Sequence, residues 1–105
     1  MERYAWRGRV KEGCIEEYRR RHAAIWPEMK AVLKEAGICN YTIFASGNEL
    51  FGYYECEKGV DYAVRYQNGS EVVQKWEEHM KDILFFENTG EGEAQPRLTE
   101  VFRLD

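Results

Sequence analysis

The sequence predicts an α+β fold, a four-stranded antiparallel sheet with its helices on one face. Three observations lead there. Residues 3–10 and 98–104, at the two ends of the chain, alternate apolar and polar side chains as half-buried strands do. Residues 14–36 and 70–84 carry apolar side chains at helical spacing. Between these helical segments lie two adjacent β-rich runs, "NYTIFA" and "ELFGYYEC", joined across Ser46, Gly47 and Asn48. The resulting order, β-α-β-β-α-β, is the split-βαβ, ferredoxin-like arrangement.

Each element has its own warrant. In the first strand Tyr4, Trp6, Gly8 and Val10 fall on one side, and Arg3, Ala5, Arg7 and Arg9 on the other. Gly13 punctuates its end. In the first helical segment, at about 100° per residue, His22 lies about 40° from Tyr18, Ile25 and Met29 about 20°, and Val32 and Leu33 within about 60°. Arg20 falls on the opposite face and Arg19 to the side, so Tyr18 and His22 are expected to face the body of the protein. Pro27 predicts a bend just after Trp26, because proline removes a helix hydrogen bond. Gly37 supplies a C-terminal stop.

The two central runs around a Gly/Asn turn read as a hairpin. Both are apolar on both faces: Tyr41 and Ile43 oppose Thr42 and Phe44, while Leu50 and Tyr54 oppose Phe51 and Tyr53. The helices cover one face, and a second copy of the sheet is the natural cover for the other, which predicts a homodimer. Residues 59–67 suit a short helical turn. Ser70 suits the N-cap of a helix that lines up Val72, Val73, Trp76, Met80, Ile83 and Leu84. Residues 87–95, "ENTGEGEAQ", read as an acidic, solvated connector before the final strand.

A chain of 105 residues with 44% hydrophobic content is the size of one domain and apolar enough to fill its core, so residues 1–105 are read as a single domain. The net charge of −4 argues against nucleic acid as a partner, and Glu16 and Glu17 offset the Arg19-Arg20-Arg21 run. No apolar run approaches the roughly 18 residues that span a bilayer. The cysteines, Cys14, Cys39 and Cys56, are odd in number and lack metal-ligand spacing, which suits reduced thiols in the cytoplasm.

Among residues that could carry chemistry, His22 has two readings: a buried helix histidine bonded to a neighbour, or a general acid/base working near neutral pH. Tyr18, one turn earlier, could orient the imidazole or hold a substrate hydroxyl. A metal site would need more ligands than His22 and His79, the only two histidines. Trp76 is either core or a flat platform for the C–H face of a sugar. Tyr41 is either packing or a phenol that a bound polyol satisfies. Trp26 reads as core, His79 as structural or solvated, and the cysteines as small packing residues. With no phosphate-cradling glycine loop, nucleophile elbow or zinc signature, the inventory suits proton chemistry without a metal or cofactor.

The stretches "EYRRRHAAIWPEM", "AVLKEAGICNYTIF" and "QKWEEHM" together resemble the L-rhamnose mutarotase family. The likeness runs from the first strand to the closing "LTEVFRL", and the E-Y-x-R-R-H-x-x-I-W-P-E block is too long for chance. The resemblance implies a dimeric α/β barrel that interconverts the α and β anomers of a free sugar without metal or cofactor. It makes His22 the proton donor and Tyr18, Tyr41 and Trp76 sugar contacts. Family members resembling this chain carry a second aromatic after Trp76, whereas Glu77 stands here. A carboxylate there can accept sugar hydroxyls, which retunes the pocket and extends the expected substrates from L-rhamnose to other 6-deoxy sugars such as L-fucose. Two rival readings share the architecture: a cofactor-free oxygenase or haem-degrading enzyme, and a non-catalytic ligand-binding dimer.

Overall fold

Strand β1 (Glu2–Val10) lies inside the sheet and buries Tyr4, Trp6, Gly8 and Val10 on the helix side, as its alternation predicts. The computed structural model describes residues 1–86 and 97–105; the acidic segment 87–95 and Pro96 lie outside the described residues. After β1 come α1 (Ile15–Ala23), α2 (Pro27–Glu35), β2 (Ile38–Ser46), β3 (Glu49–Cys56), α3 (Val60–Asn68), α4 (Glu71–Met80) and β4 (Leu84–Phe85). The antiparallel sheet has the order β2-β3-β1-β4. That is the ferredoxin-like strand order.

The single bent helix expected over 14–36 is instead two helices. Proline's ring clashes with an α-helical residue before it, and Trp26 accordingly sits at φ −62° and ψ 137°, in extended conformation. Pro27 then occupies the first turn of α2, where its missing N–H costs nothing. α1 carries Glu16 and Glu17 in its first turn and Arg20, Arg21 and His22 in its last, the charge order that its dipole favours. Gly37, at φ 82°, follows the end of α2.

The hairpin forms as predicted, with Gly47 at φ 60° opening its two-residue turn. Inside β2, however, lies an irregularity that alternation does not reveal. Cys39 pairs with Glu55 but Thr42 pairs with Tyr53, so Asn40 and Tyr41 together face one residue of β3. This β-bulge puts Asn40 at φ 49°, a left-handed value that asparagine tolerates, and its Nδ2 donates to Glu55 Oε1 at 2.7 Å. Because strand side chains alternate, one extra residue reverses the faces beyond it. Ile38, Tyr41 and Ile43 thereby share the helix side although 38 and 41 differ in parity.

Residues 59–67 form part of a full helix, α3, rather than one turn. Ser70 caps α4 as predicted, its side chain accepting from Val73 N–H. That helix ends at Met80, and Leu84 passes into β4, where Arg9 pairs with Phe85 and Val10 with Leu84. The strand expected over 98–104 is absent: Arg97 makes an isolated bridge to Trp6, Leu98 N–H reaches Ala5 O at 2.7 Å, and the chain then leaves the sheet. Val101, Phe102 and Leu104 are exposed. β4 takes that edge of β1 only at Arg9 and Val10, and past Leu98 the alternating residues form no ladder along the rest of it.

The core lies between sheet and helices, with Trp6, Leu50, Tyr54, Met80 and Val10 almost wholly buried. The opposite sheet face leaves Phe44, Phe51 and Phe85 open.

Candidate functional site

A cavity of about 1370 Å³ opens between sheet and helices. β1 contributes Trp6, α1 Tyr18 and His22, β2 Tyr41, and α4 Trp76 and Glu77. All five residues singled out from the sequence therefore border one space, drawn from three separate elements.

His22 is half-buried. Its Nδ1 lies 3.1 Å from the carbonyl oxygen of Tyr18. A carbonyl can only accept, so Nδ1 carries the hydrogen and Nε2 keeps the lone pair in the neutral ring. Burial pulls the imidazole pKa below its ordinary value, and the bond to Tyr18 opposes that shift. The ring lies over the Tyr18 phenol, centroids 4.2 Å apart at 31°, and meets Trp76 edge-on at 5.5 Å and 86°. His22 packs and bonds within its own helix, and it also borders the cavity.

Tyr18 is buried and its phenol pKa is pushed well up by desolvation, so it stays neutral at any physiological pH. Trp76 is 7% exposed, with Trp26 edge-on at 5.1 Å and His79 at 5.5 Å behind it. It is core and cavity wall at once. Glu77 keeps much of its surface in solvent, yet its carboxyl is desolvated enough to raise its pKa.

Two contributors escaped the sequence reading. Trp6 donates its indole N–H to the Tyr41 phenol oxygen at 3.0 Å; a buried indole always needs an acceptor, which was the signal available. Arg21, seen in the sequence only as part of a balanced charge run, ties α1 to the end of α4. Its Nη1 and Nη2 lie 2.9 and 3.2 Å from the two oxygens of Asp82, Nη1 donates to His79 O at 2.8 Å, and Nε donates to Glu17 at 2.7 Å. The fork fixes the helix bearing His22 against the helix bearing Trp76, and its hydrogen bonds hold the Asp82 and Glu17 carboxyls below their ordinary pKa. No group of three or more His, Cys, Asp or Glu side chains is placed to hold a metal among the described residues.

The family model described as L-rhamnose mutarotase matches residues 3–104. An L-rhamnose mutarotase of Flavobacterium johnsoniae is 41% identical over 98% of this chain and 95% of its own. One from Bacteroides thetaiotaomicron is 36% identical over the whole of both chains. Among solved structures, the L-rhamnose mutarotase of Formosa agariphila superposes with a TM-score of 0.81 at 31% identity, covering 100% of each chain. Tetracenomycin F2 cyclase of Streptomyces glaucescens, at 11% identity and a TM-score of 0.71 over 100% of each chain, shares the fold alone. On the strength of a match over nearly its whole length, this chain belongs to the L-rhamnose mutarotase family.

Proposed function

We propose that this protein is an isomerase that interconverts the α and β anomers of free L-rhamnose, with His22 moving the proton. The observation that carries the reading is the imidazole on the wall of the cavity, its Nδ1 committed to Tyr18 and its Nε2 without a hydrogen bond among the described residues. The full-length family match favours this over the oxygenase, haem-degrading and non-catalytic readings.

Ring opening moves one proton between two oxygens on the same carbon. Neutral His22 takes the proton of the anomeric hydroxyl through Nε2, and the freed electron pair forms the carbonyl. The C1–O5 bond breaks toward the ring oxygen, which receives the proton from the imidazolium. Rotation about C1–C2 and the reverse steps on the other carbonyl face give the second anomer. His22 is thus the donor to the ring oxygen and also the base that the sequence left unassigned. Tyr18 and Tyr41 hold sugar hydroxyls, Trp76 lies against C–H surface, and Glu77 accepts from a hydroxyl at the rim, where it favours one 6-deoxy sugar over another.

Saturation-transfer NMR on L-rhamnose and L-fucose, with and without protein, tests the reaction. Faster anomer exchange is expected, greatest for L-rhamnose; exchange at the spontaneous rate for both sugars rejects the proposal. The pH profile has a definite sign. Because burial lowers the His22 pKa, the neutral form prevails at pH 7. Activity should fall only as pH drops through a value below the ordinary 6.5, and stay level above it. A rate that instead declines as pH rises through that range would contradict base-first catalysis.

The exposed face carrying Phe44, Phe51 and Phe85, with the apolar tail residues Val101, Phe102 and Leu104, supports a homodimer joined sheet to sheet. Sedimentation equilibrium is expected to return twice the 12.4 kDa chain mass; monomer alone at micromolar concentration would reject it. Three unpaired cysteines suit a reducing cytoplasm, where free monosaccharides enter metabolism.

A further inference from the structure

Tyr41 has an unusual support. β2 is an edge strand, paired on one side only, and at Tyr41 the bulge breaks even that ladder. Backbone pairing alone therefore does not fix the phenol: its ring lies 4.9 Å from that of buried Tyr54, and its oxygen takes the Trp6 indole N–H. Trp6 is anchored far more firmly. It is 1% exposed, lies on an interior strand, and has the Phe86 ring edge-on at 5.6 Å and 76°. Its other side lies against Gly52, its cross-strand partner, where a Cβ would fall 2.1 Å from Cε2 and 2.2 Å from Nε1. The indole occupies space that only glycine leaves.

We infer that Trp6 is a positioning residue for the sugar, acting through Tyr41; this rests on the reading of Tyr41 as a sugar contact. Indole Nε1–H has no lone pair and can only donate. Its partner is the Tyr41 phenol oxygen at 3.0 Å, an acceptor held at the cavity wall by a donor that cannot move. Since that oxygen accepts from the indole, its own proton is directed away from Nε1. The indole thereby fixes where the phenol oxygen stands on the cavity wall, and with it where a sugar hydroxyl can meet that oxygen. The chain of support runs from Gly52 through Trp6 to the phenol, and from there to the substrate.

The test replaces Trp6 with benzothienylalanine, which keeps the fused-ring shape and carries sulfur in place of the N–H, beside Trp6→Phe and Tyr41→Phe. Anomer exchange gives kcat and KM for L-rhamnose, and thermal melting reports folding. The benzothienyl protein should melt near the wild type, with KM raised about five- to tenfold and kcat within about twofold, the scale of one lost hydrogen bond. Combined with Tyr41→Phe it should add nothing further, because the donor has no phenol left to place. Factors that multiply in the double variant, or a KM unchanged by loss of the N–H, overturn the inference while leaving the function intact. A wild-type protein that fails to accelerate anomer exchange overturns the functional reading and this inference with it.

Discussion

A His22→Ala protein is expected to fold, to bind L-rhamnose and to lose about 10²–10⁴-fold in kcat, the usual share of a positioned proton-transfer group. Folding should survive because, among the described residues, the side chain's hydrogen-bond partner is the Tyr18 carbonyl, one turn back in its own helix. Removing the imidazole leaves that carbonyl with its helical bond, so no buried polar group is orphaned. The lost packing on Tyr18 and Trp76 is that of a half-buried ring, and both neighbours keep other aromatic or core contacts. His22→Gln separates polarity from proton exchange, since an amide retains hydrogen bonding but cannot carry the proton near neutral pH. Both variants should show a calorimetric affinity for the sugar close to that of the wild type. Anomer exchange at the wild-type rate in either one would remove His22 from the chemistry.

The second large effect falls on stability. Gly52→Ala should destabilise the fold by about 3 kcal/mol or more, at the upper end of what overpacking a core costs. The new methyl would sit 2.1 Å from a ring carbon of Trp6, a separation that no side-chain relaxation short of moving the indole can relieve. The indole cannot swing freely, because Phe86 and the β1 backbone confine it. The Gly52 backbone is ordinary strand, so the cost is purely steric. Gly47→Ala makes the opposite control: nothing lies within 4 Å of its added Cβ, and only the φ of 60° opposes it. That strain should cost about 1–2 kcal/mol. Urea melts of the two variants rank them, and a Gly52→Ala midpoint above that of Gly47→Ala would mean that the indole does not rest on Gly52. Any Gly52→Ala protein that folds should also bind sugar poorly, since Trp6 would no longer reach Tyr41.

Much of the frame was legible because burial is periodic. The alternation of Tyr4, Trp6 and Val10 places β1, and the stripe from Tyr18 through Met29 to Val32 places both halves of what the sequence reads as one helix. The break between them was half visible: Pro27 announced a disturbance, but whether a proline bends a helix or begins a new one depends on where the next segment packs. The strand expected over 98–104 shows the limit of pattern. Leu98, Phe102 and Leu104 share one parity, yet backbone pairing with the edge of β1 reaches no further than Leu98, and Val101, Phe102 and Leu104 stay exposed.

For the site, local spacing sufficed where two residues share a helix, as Tyr18 and His22 do. It could not show that Arg21 closes on Asp82, 61 positions away, nor that Gly52 makes room for Trp6.

By itself, then, the sequence determined the strand order's raw material, the inward turn of His22 and, through one long block of residues, the family. These follow from i to i+4 geometry and strand parity, which act within a few residues. The tertiary structure alone decided the partners: the indole on the phenol, the bulge that turns Tyr41 to the cavity, and the arginine fork between α1 and α4. Each depends on the register between elements far apart in the chain. Register is set by the packing of the whole core rather than by any segment's own preference.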